Sequence, residues 1–409
     1  MVSDTRPAQP VMGKGEFIAL TAMMFATIAF SIDAMLPALP EIGQELSPDD
    51  PNRAQLILTS FVLGMGLGTF FTGPLSDTLG RKPVIYAGAA LYIVAAGVAW
   101  ASSSLELVLA ARVLQGLGAA GPRVVAMAVV RDLYAGREMA RIVSFAMMIF
   151  TLVPAIAPLL GAGVIAVAGW RAIFLCFVLF SLVTLFWMGL RLPESLPPEN
   201  RRPFRAALLL GAVREMLTHP TVRLSIIVQT LCMGTLFTML TMVQQIYDEI
   251  FGRAESFPVW FGLVALISGS ASLLNAALVM RLGMRWLVTW TLGAQIILSG
   301  GMALATGASL SLNAEFGLFV AWQATVFFMA GMTLGNLNAI AMEPMGHIAG
   351  MAASVIGAIA TVLAAAIAAP IGLLFDGSLW PLIAGIFTMV TAGFVIMVHM
   401  GRVEARQVV

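Results

Sequence analysis

The sequence predicts an all-α membrane protein of twelve transmembrane helices arranged as two six-helix halves, and three observations carry that prediction. Of its 409 residues, 60% are hydrophobic and only 11% charged, with a mean hydropathy of +0.95, where soluble domains carry roughly 25% charged residues. A hydrocarbon core ~30 Å thick needs about 20 apolar residues per helix, and windows of that length occur twelve times between charged or Gly/Pro-rich breaks. The longest polar stretch, 193–220, divides those windows six and six.

The first window, 16–40, is too long for the apolar core of a signal peptide and carries Asp33, Pro37 and Pro40 near its end, so it is expected to remain as a membrane helix. Windows at 54–77, 83–101, 105–131, 138–166 and 171–191 complete the first half. The second half holds windows at 221–247, 256–280, 286–307, 315–342, 349–374 and 380–400. The expected domains are therefore 1–192, a linker 193–220 that carries Arg201, Arg202, Arg205 and Arg214, and 221–409. A faint internal repeat agrees: Leu79-Gly80-Arg81-Lys82 after the second helix is echoed by Leu282-Gly283-Met284-Arg285 after the eighth. Met280 stands where Asp77 would be, so the second copy has lost that acid.

Lys and Arg in short loops set orientation. Only Arg53, Arg171 and Arg253 fall on one side and Arg112 and Arg123 inside the fourth helix, which leaves seventeen of the 22 on the side of the N-terminus and linker. Both termini are therefore expected to be cytoplasmic. A net charge of +1 gives no reason to expect a nucleic-acid partner. Cys176 and Cys232 lie in apolar runs without a CxxC or Cys/His neighbour, so both read as small core residues and neither a disulfide framework nor a metal site is expected. No H-E-x-x-H helix, paired Ser/His string or G-x-x-x-x-G-K-[ST] loop is present, so the chain is read as neither an enzyme nor an ATP-driven pump.

The densest cluster of charge and turn residues is Gly73-Pro74-Leu75-Ser76-Asp77-Thr78-Leu79-Gly80-Arg81-Lys82-Pro83. Gly73 and Gly80 permit close approach and a tight reversal, Pro83 suits a helix start, and Asp77 lies one turn from Arg81. An acid and a base so spaced form a latch able to break and reform, and Arg131-Asp132 at the end of the fourth helix is placed to complete the charge network. Written G-x-L-S-D-x-x-G-R-K-P, the string resembles the signature loop between helices two and three of the major facilitator superfamily, whose layout is two six-helix halves joined by a cytoplasmic linker.

Three ionisable side chains, Asp33, Arg112 and Arg123, lie well inside predicted helices, where insertion costs at least ~2.5 kcal/mol each. From the opposite directions of helices one and four, Asp33 and Arg112 are expected at similar depth. Arg112-Val113-Leu114-Gln115-Gly116-Leu117-Gly118 resembles the R-x-x-Q-G-x-G motif of drug/proton antiporters in this superfamily, where the arginine is linked to proton transfer. Ser31 to Pro40, S-I-D-A-M-L-P-A-L-P, resembles the S-T-D-M-Y-L-P-A-L-P string of the bicyclomycin and chloramphenicol resistance subfamily. Two readings stand: Asp33 as the proton-binding carboxylate tuned by Arg112, since desolvation and a nearby cation act on an acid in opposite directions, or a static buried ion pair. Arg123 follows Arg112 by eleven residues and so returns to the same helix face within about 20°. It has three readings: it recognises an anionic substrate group, pairs with a carboxylate, or reaches for the cytoplasmic interface.

Pro154, Pro158 and Gly161 in the fifth helix resemble the G-P-x-x-G-G antiporter motif with alanine at two glycine positions, and suit a bending gate. Gly169-Trp170-Arg171, Leu192-Pro193-Glu194-Ser195-Leu196 and Gly346 to Ser354 resemble further strings of the family, so the likeness extends from about residue 16 to 400. The polar residues of the second half, Gln244, Gln245, Asn275, Gln295, Gln323, Asn336 and Asn338, read either as interhelical glue or, for Gln244, Gln245 and Gln323, as substrate contacts alongside Asp33, Arg112, Gln115 and Arg123. Twenty-six Met and 24 Phe supply adaptable apolar surface.

The resemblance implies a proton-coupled exporter of small amphiphilic drugs working by alternating access, that is, a multidrug antiporter contributing to antibiotic resistance. It needs no cofactor beyond the proton gradient, and its partners are substrate, protons and the lipid bilayer of a bacterial inner membrane. The alternatives are a narrow-specificity exporter or uptake symporter, or a sensor that keeps the fold without flux. A monomer is expected because one chain supplies both halves, with Gly64 to Gly68 as a lipid-facing GxxxG for weak pairing.

Overall fold

The computed structural model describes residues 12–308 and 310–407; Arg6, counted above among the cations of the N-terminal side, lies outside them. Twelve membrane-length helices are present among the described residues: α1 Lys14–Leu46, α2 Pro51–Leu79, α3 Arg81–Ala101, α4 Leu105–Leu133, α5 Gly136–Ala168 and α6 Ala172–Arg191 form one half. The other half is α7 Pro220–Ile250, α8 Ala254–Leu282, α9 Met284–Thr306, α10 Leu312–Ile348, α11 Gly350–Leu373 and α12 Trp380–Glu404. The linker is not all loop. Its Ala206–Thr218 stretch is helical and lays Leu209, Ala212 and Met216 on a cluster from the second half that includes Val222, Met345 and Val355.

The two halves repeat one another. In the first, α1 packs on α5, α2 on α4, and α3 on α4 and α6; in the second, α7 packs on α11, α8 on α10, and α9 on α10 and α12. Each half turns from its second to its third helix on a glycine with positive φ, Gly80 at 103° and Gly283 at 83°, a backbone region that L side chains avoid. The acid missing from the second copy is replaced from elsewhere: Arg285 bonds Glu343 of α10 at 3.2 Å and Glu404 of α12 at 2.5 Å, as Arg81 bonds Asp132 of α4.

Helices in lipid associate through close packing and not through expulsion of water, and this chain achieves it with backbone-on-backbone contact. A Cβ on Gly64 would strike the Val113 carbonyl, one on Gly68 the Leu117 carbonyl, and one on Gly116 the Phe61 carbonyl. The glycines of the expected lipid-facing GxxxG are therefore spent inside the first half, binding α2 to α4. Their missing side chains are what allow the approach. Cys232 is buried as expected, whereas Cys176 is half-exposed.

Two features position α1. Its straight first segment ends at Asp33, and a tight turn at Leu36–Ala38 precedes a second segment, Leu39–Leu46, because Pro37 and Pro40 disfavour helical geometry just before them. One end is then fastened to α6 and the other to the turn that leads into it. At the linker end, Glu16 accepts from Arg191 at 2.8 Å and from the Trp187 indole at 3.0 Å; at the far end, Glu45 accepts from Arg171 and from the Trp170 indole, each at 2.7 Å.

The halves meet through α2 against α11 and α5 against α8. All side-chain hydrogen bonds between them among the described residues lie at the end far from the linker. Gln55 Nε2 donates to Gln245 Oε1 (2.5 Å), Gln245 Nε2 to Asn52 Oδ1 (2.7 Å), and Asn52 Nδ2 to the Phe375 carbonyl (2.8 Å). A cleft of about 130 Å³ bounded by Leu39, Gln44, Gln245 and Asp248 sits over this clasp. The linker end has no such clasp, so the structure is closed at the far end.

Two outcomes follow from this packing. Gly116→Leu should lower the melting temperature of the purified protein sharply, with a cost of about 3 kcal/mol or more from overpacking. Gly97→Leu, where an added Cβ meets nothing within 4 Å, should leave it within a degree or two, and equal melting of both variants would refute the backbone-contact account. Asn52→Ala combined with Gln55→Ala should open the far end: spin labels at Asp49 and Ser378 should gain a longer-distance population, and an unchanged distribution would mean that the amide clasp does not hold the closure.

Candidate functional site

Arg112 is fully buried in the middle of the first half. Its guanidinium is satisfied by three donations that tie three helices: Nε to the Ile57 carbonyl of α2 at 3.2 Å, Nη2 to the Ser31 carbonyl of α1 at 3.0 Å, and Nη1 to Gln115 Oε1 on its own helix at 2.8 Å. The Phe61 ring lies 4.3 Å from the guanidinium carbon, adding a cation–π contact. The Ser31 carbonyl is available because of the break in α1: the Met35 N–H, which would take it in an unbroken helix, donates to Ile32 instead. The Ser31 hydroxyl meets Tyr92 Oη of α3 at 2.6 Å, so α3 joins the same knot. Gln115 Nε2 is buried without a partner.

Asp33 sits beside this knot, at the end of the straight segment of α1, and is 5% exposed. No cation or hydrogen-bond donor among the described residues reaches its carboxyl. Asp33 and Arg112 are brought to the same level of the bundle, through Ser31, but they form no ion pair. The static-pair reading of the sequence is therefore not what the structure holds; Arg112 is bonded to carbonyls and the acid is left alone. Next to Asp33, the Ala34 carbonyl packs against the Cα of Gly161, with no room for a Cβ there. The fifth-helix glycine thus touches the turn that follows the acid. Pro154 and Pro158 lie within a helix that continues through both.

At the linker end, Arg81 gathers the latch: Nη1 to Asp77 at 2.6 Å and to Ser76 Oγ at 2.8 Å, Nε to Asp132 at 2.8 Å. Asp132 belongs to this network and also accepts from Ser195 Oγ at 3.0 Å, whereas Arg131 is exposed and stands apart from it, near Gly350 of α11. Glu194 caps α3: its carboxylate accepts the Arg81 and Lys82 N–H groups at 2.9 and 3.0 Å, satisfying orphan donors of a helix start. The roles of Glu194 and Ser195 could be found only in their family-like string, not from spacing. Gly73 faces Ser354 of α11 across the halves, with 3.3 Å left for a Cβ.

The remaining candidates divide. Gln245 stands in the far-end clasp, and also donates to Glu249 at 2.7 Å. Gln323 accepts from Tyr247 Oη at 2.9 Å inside an aromatic cluster with Phe316 and Phe319, and its Nε2 is unpartnered. Gln244 is buried with Oε1 unpartnered. Asn275 and Asn336 bond each other at 2.7 Å, as glue between α8 and α10. Gln295 and Trp322 both donate to Ser299.

Arg123 is the exception among the buried-zone charges. Its side chain is exposed although protein surrounds it. The exposed apolar stripe of α4 runs through Leu107, Ala110, Leu114 and Leu117; at 100° per residue Arg123 lies about 160° from it. Its exposure therefore opens toward the interior between the halves and not toward lipid.

Comparison with known proteins agrees with this architecture. Residues 20–369 match the family model described as Major Facilitator Superfamily. The chain is 30% identical over 353 residues to a bicyclomycin resistance protein homolog of Haemophilus influenzae, covering 84% of this chain and 85% of that one. It is also 30% identical to a chloramphenicol resistance protein of Pseudomonas aeruginosa over 385 residues, 89% and 85% of the two chains. The solved D-xylose-proton symporter superposes with a TM-score of 0.71 over 94% of this chain and 97% of its own at 15% identity, a likeness of fold. Twelve helices in two repeated halves, the Asp77–Arg81–Asp132 latch and a family match spanning most of the sequence establish that this chain belongs to the major facilitator superfamily.

Proposed function

We propose that this transporter exports small amphiphilic compounds in exchange for protons across a bacterial inner membrane, acting as a monomer with both termini in the cytoplasm. The observation that carries the proton part is Asp33: a buried carboxyl with no counter-charge among the described residues, near a cation that bonds main-chain carbonyls and an amide instead. An ionised carboxylate in such surroundings is costly, and a proton relieves the cost. When the halves rock, the first half moves as one body with Asp33 and Gly161 in contact through the turn, and the carboxyl meets water from one side or the other as the seam between the halves opens. Arg112 acts here as a fixed positive neighbour, held to α1 through the Ser31 carbonyl, while access of water to the carboxyl is what changes with that motion. The relatives named for bicyclomycin and chloramphenicol resistance support small amphiphilic drugs as the cargo, and the excess of Lys and Arg on the linker side supports the orientation.

With the far end clasped, the space between the halves faces the cytoplasm. Substrate enters there, and proton binding from the outside follows opening of the Asn52–Gln55–Gln245 clasp. The latch around Arg81 belongs to the cytoplasmic end and braces α2, α3 and α4 in one rigid group. Uptake by symport uses the same parts in the other direction of flux, so direction is what the experiment must read.

In proteoliposomes loaded with a pH-sensitive dye, chloramphenicol-like neutral compounds and other amphiphiles added against an imposed pH gradient should trigger proton movement opposite to the substrate. Asp33→Asn should abolish that movement, by at least about tenfold, while preserving a monodisperse protein with unchanged melting. Retained uphill transport in Asp33→Asn would eliminate Asp33 as the carrier. Proton and substrate moving in the same direction would replace antiport by symport.

A further inference from the structure

We propose that Arg123 is an anion-reading residue of the substrate site, so that the preferred cargo is an amphiphile bearing a carboxylate or comparable oxyanion. The inference deepens the transport reading above and rests on it for the word substrate, while the binding itself is measured independently.

A cation within a membrane helix has four roles open to it, and three of them do not fit Arg123. Arg123 is ten residues from the linker end of α4, Leu133, or about 15 Å along the axis, and it stands on the face turned away from the lipid-facing stripe, where it has no headgroup to reach for. It has no carboxylate or hydrogen-bond partner among the described residues, so it is not half of an ion pair. It does not serve the packing of the half as Arg112 does, since it binds no carbonyl of a neighbouring helix. It stands exposed on the inner face of α4, about 160° from the lipid-facing stripe. Intramembrane charges that face the interior of the bundle mark substrate or ion paths.

The charges around it fix the sign of what it recognises. Asp33, Arg112 and Arg123 are the ionisable groups placed well inside the helices of the first half, and the helices of the second half add none at comparable depth. The interior is thus net positive whether or not Asp33 carries a proton. Each guanidinium nitrogen of Arg112 already donates within the bundle, to Ile57, Ser31 and Gln115. Arg123 keeps its whole planar fork, which matches a carboxylate bidentately and gains more from an anion than from a neutral acceptor. A cationic amphiphile would meet repulsion at the same place. Eleven residues, about 16 Å along α4, separate Arg112 from Arg123, so the anion and the proton are held at different levels and need not displace one another directly.

The test uses the full-length protein in nanodiscs without any gradient and three probes sharing one fluorophore: dansylglycine as the anion, dansylamide as the neutral form and dansylethylenediamine as the cation, each corrected for binding to empty nanodiscs. Dansylglycine should bind about tenfold or more tighter than dansylamide, with dansylethylenediamine weakest. Arg123→Gln should bring dansylglycine to the affinity of dansylamide and leave dansylamide unchanged, and Arg123→Lys should recover part of the preference, which a general loss of folding would not do. Equal or reversed preference in the wild type, no binding of dansylglycine, or a preference that survives Arg123→Gln overturns the proposal. Because the titration needs neither protons nor flux, its failure is separable from failure of the antiport assay, and success in it does not rescue antiport.

Discussion

A fully buried guanidinium, with no carboxylate partner among the described residues, organises the first half of this transporter. Arg112 is satisfied by main-chain carbonyls of two neighbouring helices, one amide and one aromatic face. Inside a low-dielectric bundle each of these interactions is strong, and each would be costly to leave unmade. The carbonyl from α1 exists as an acceptor only because that helix is broken, and the break exists because of two prolines. The same break ends a straight segment on Asp33. One local departure from helical geometry thus supplies both an anchor for the cation and a place for an acid that the cation does not neutralise.

Around that knot the half behaves as one body. Glutamates near both ends of α1 grip α6 and the turn that leads into it, each through an arginine and an indole, and Arg81 with its three acceptors grips the linker ends of α2, α3 and α4. The glycine contacts between α2 and α4 leave no slack between them. Motion is then confined to the seams between halves, α2 on α11 and α5 on α8, where contacts are fewer in kind and carried by small residues such as Gly66, Gly73 and Gly262. This division of stiffness is what a rocking transporter needs.

The sequence was most legible where one residue type answers to one physical demand. Twelve apolar windows had to be helices of bilayer length, and their limits agree with the structure to within a few residues at most ends. Gly80 and its echo Gly283 announced two equivalent turns, and Asp77, Arg81 and Asp132 announced a charge network. Pairings between distant positions were not legible: Glu45 with Trp170, Glu16 with Trp187, and Glu194 with the start of α3 join residues more than a hundred positions apart, and no period or spacing records them. Side-chain direction was equally hidden. Neighbours Arg131 and Asp132 read as one pair, yet a 100° step sends only the acid into the latch. Gly64 and Gly68 read as a lipid-facing motif, although the same lack of side chains serves a contact inside the bundle. Gln244, Gln245 and Gln323 were alike in composition, and only the fold sends one into an interhalf clasp and another among aromatic rings.

The clasp at the far end is built from amides and one carbonyl, and no ion pair crosses between the halves among the described residues. Breaking it moves no formal charge relative to the bilayer. An electric field across the membrane therefore does no net work on the lock itself, and salt does not screen it. Whatever voltage dependence the cycle has would arise from its passengers and from the charged groups lining their route, so that the lock tells open from closed without consulting the membrane potential.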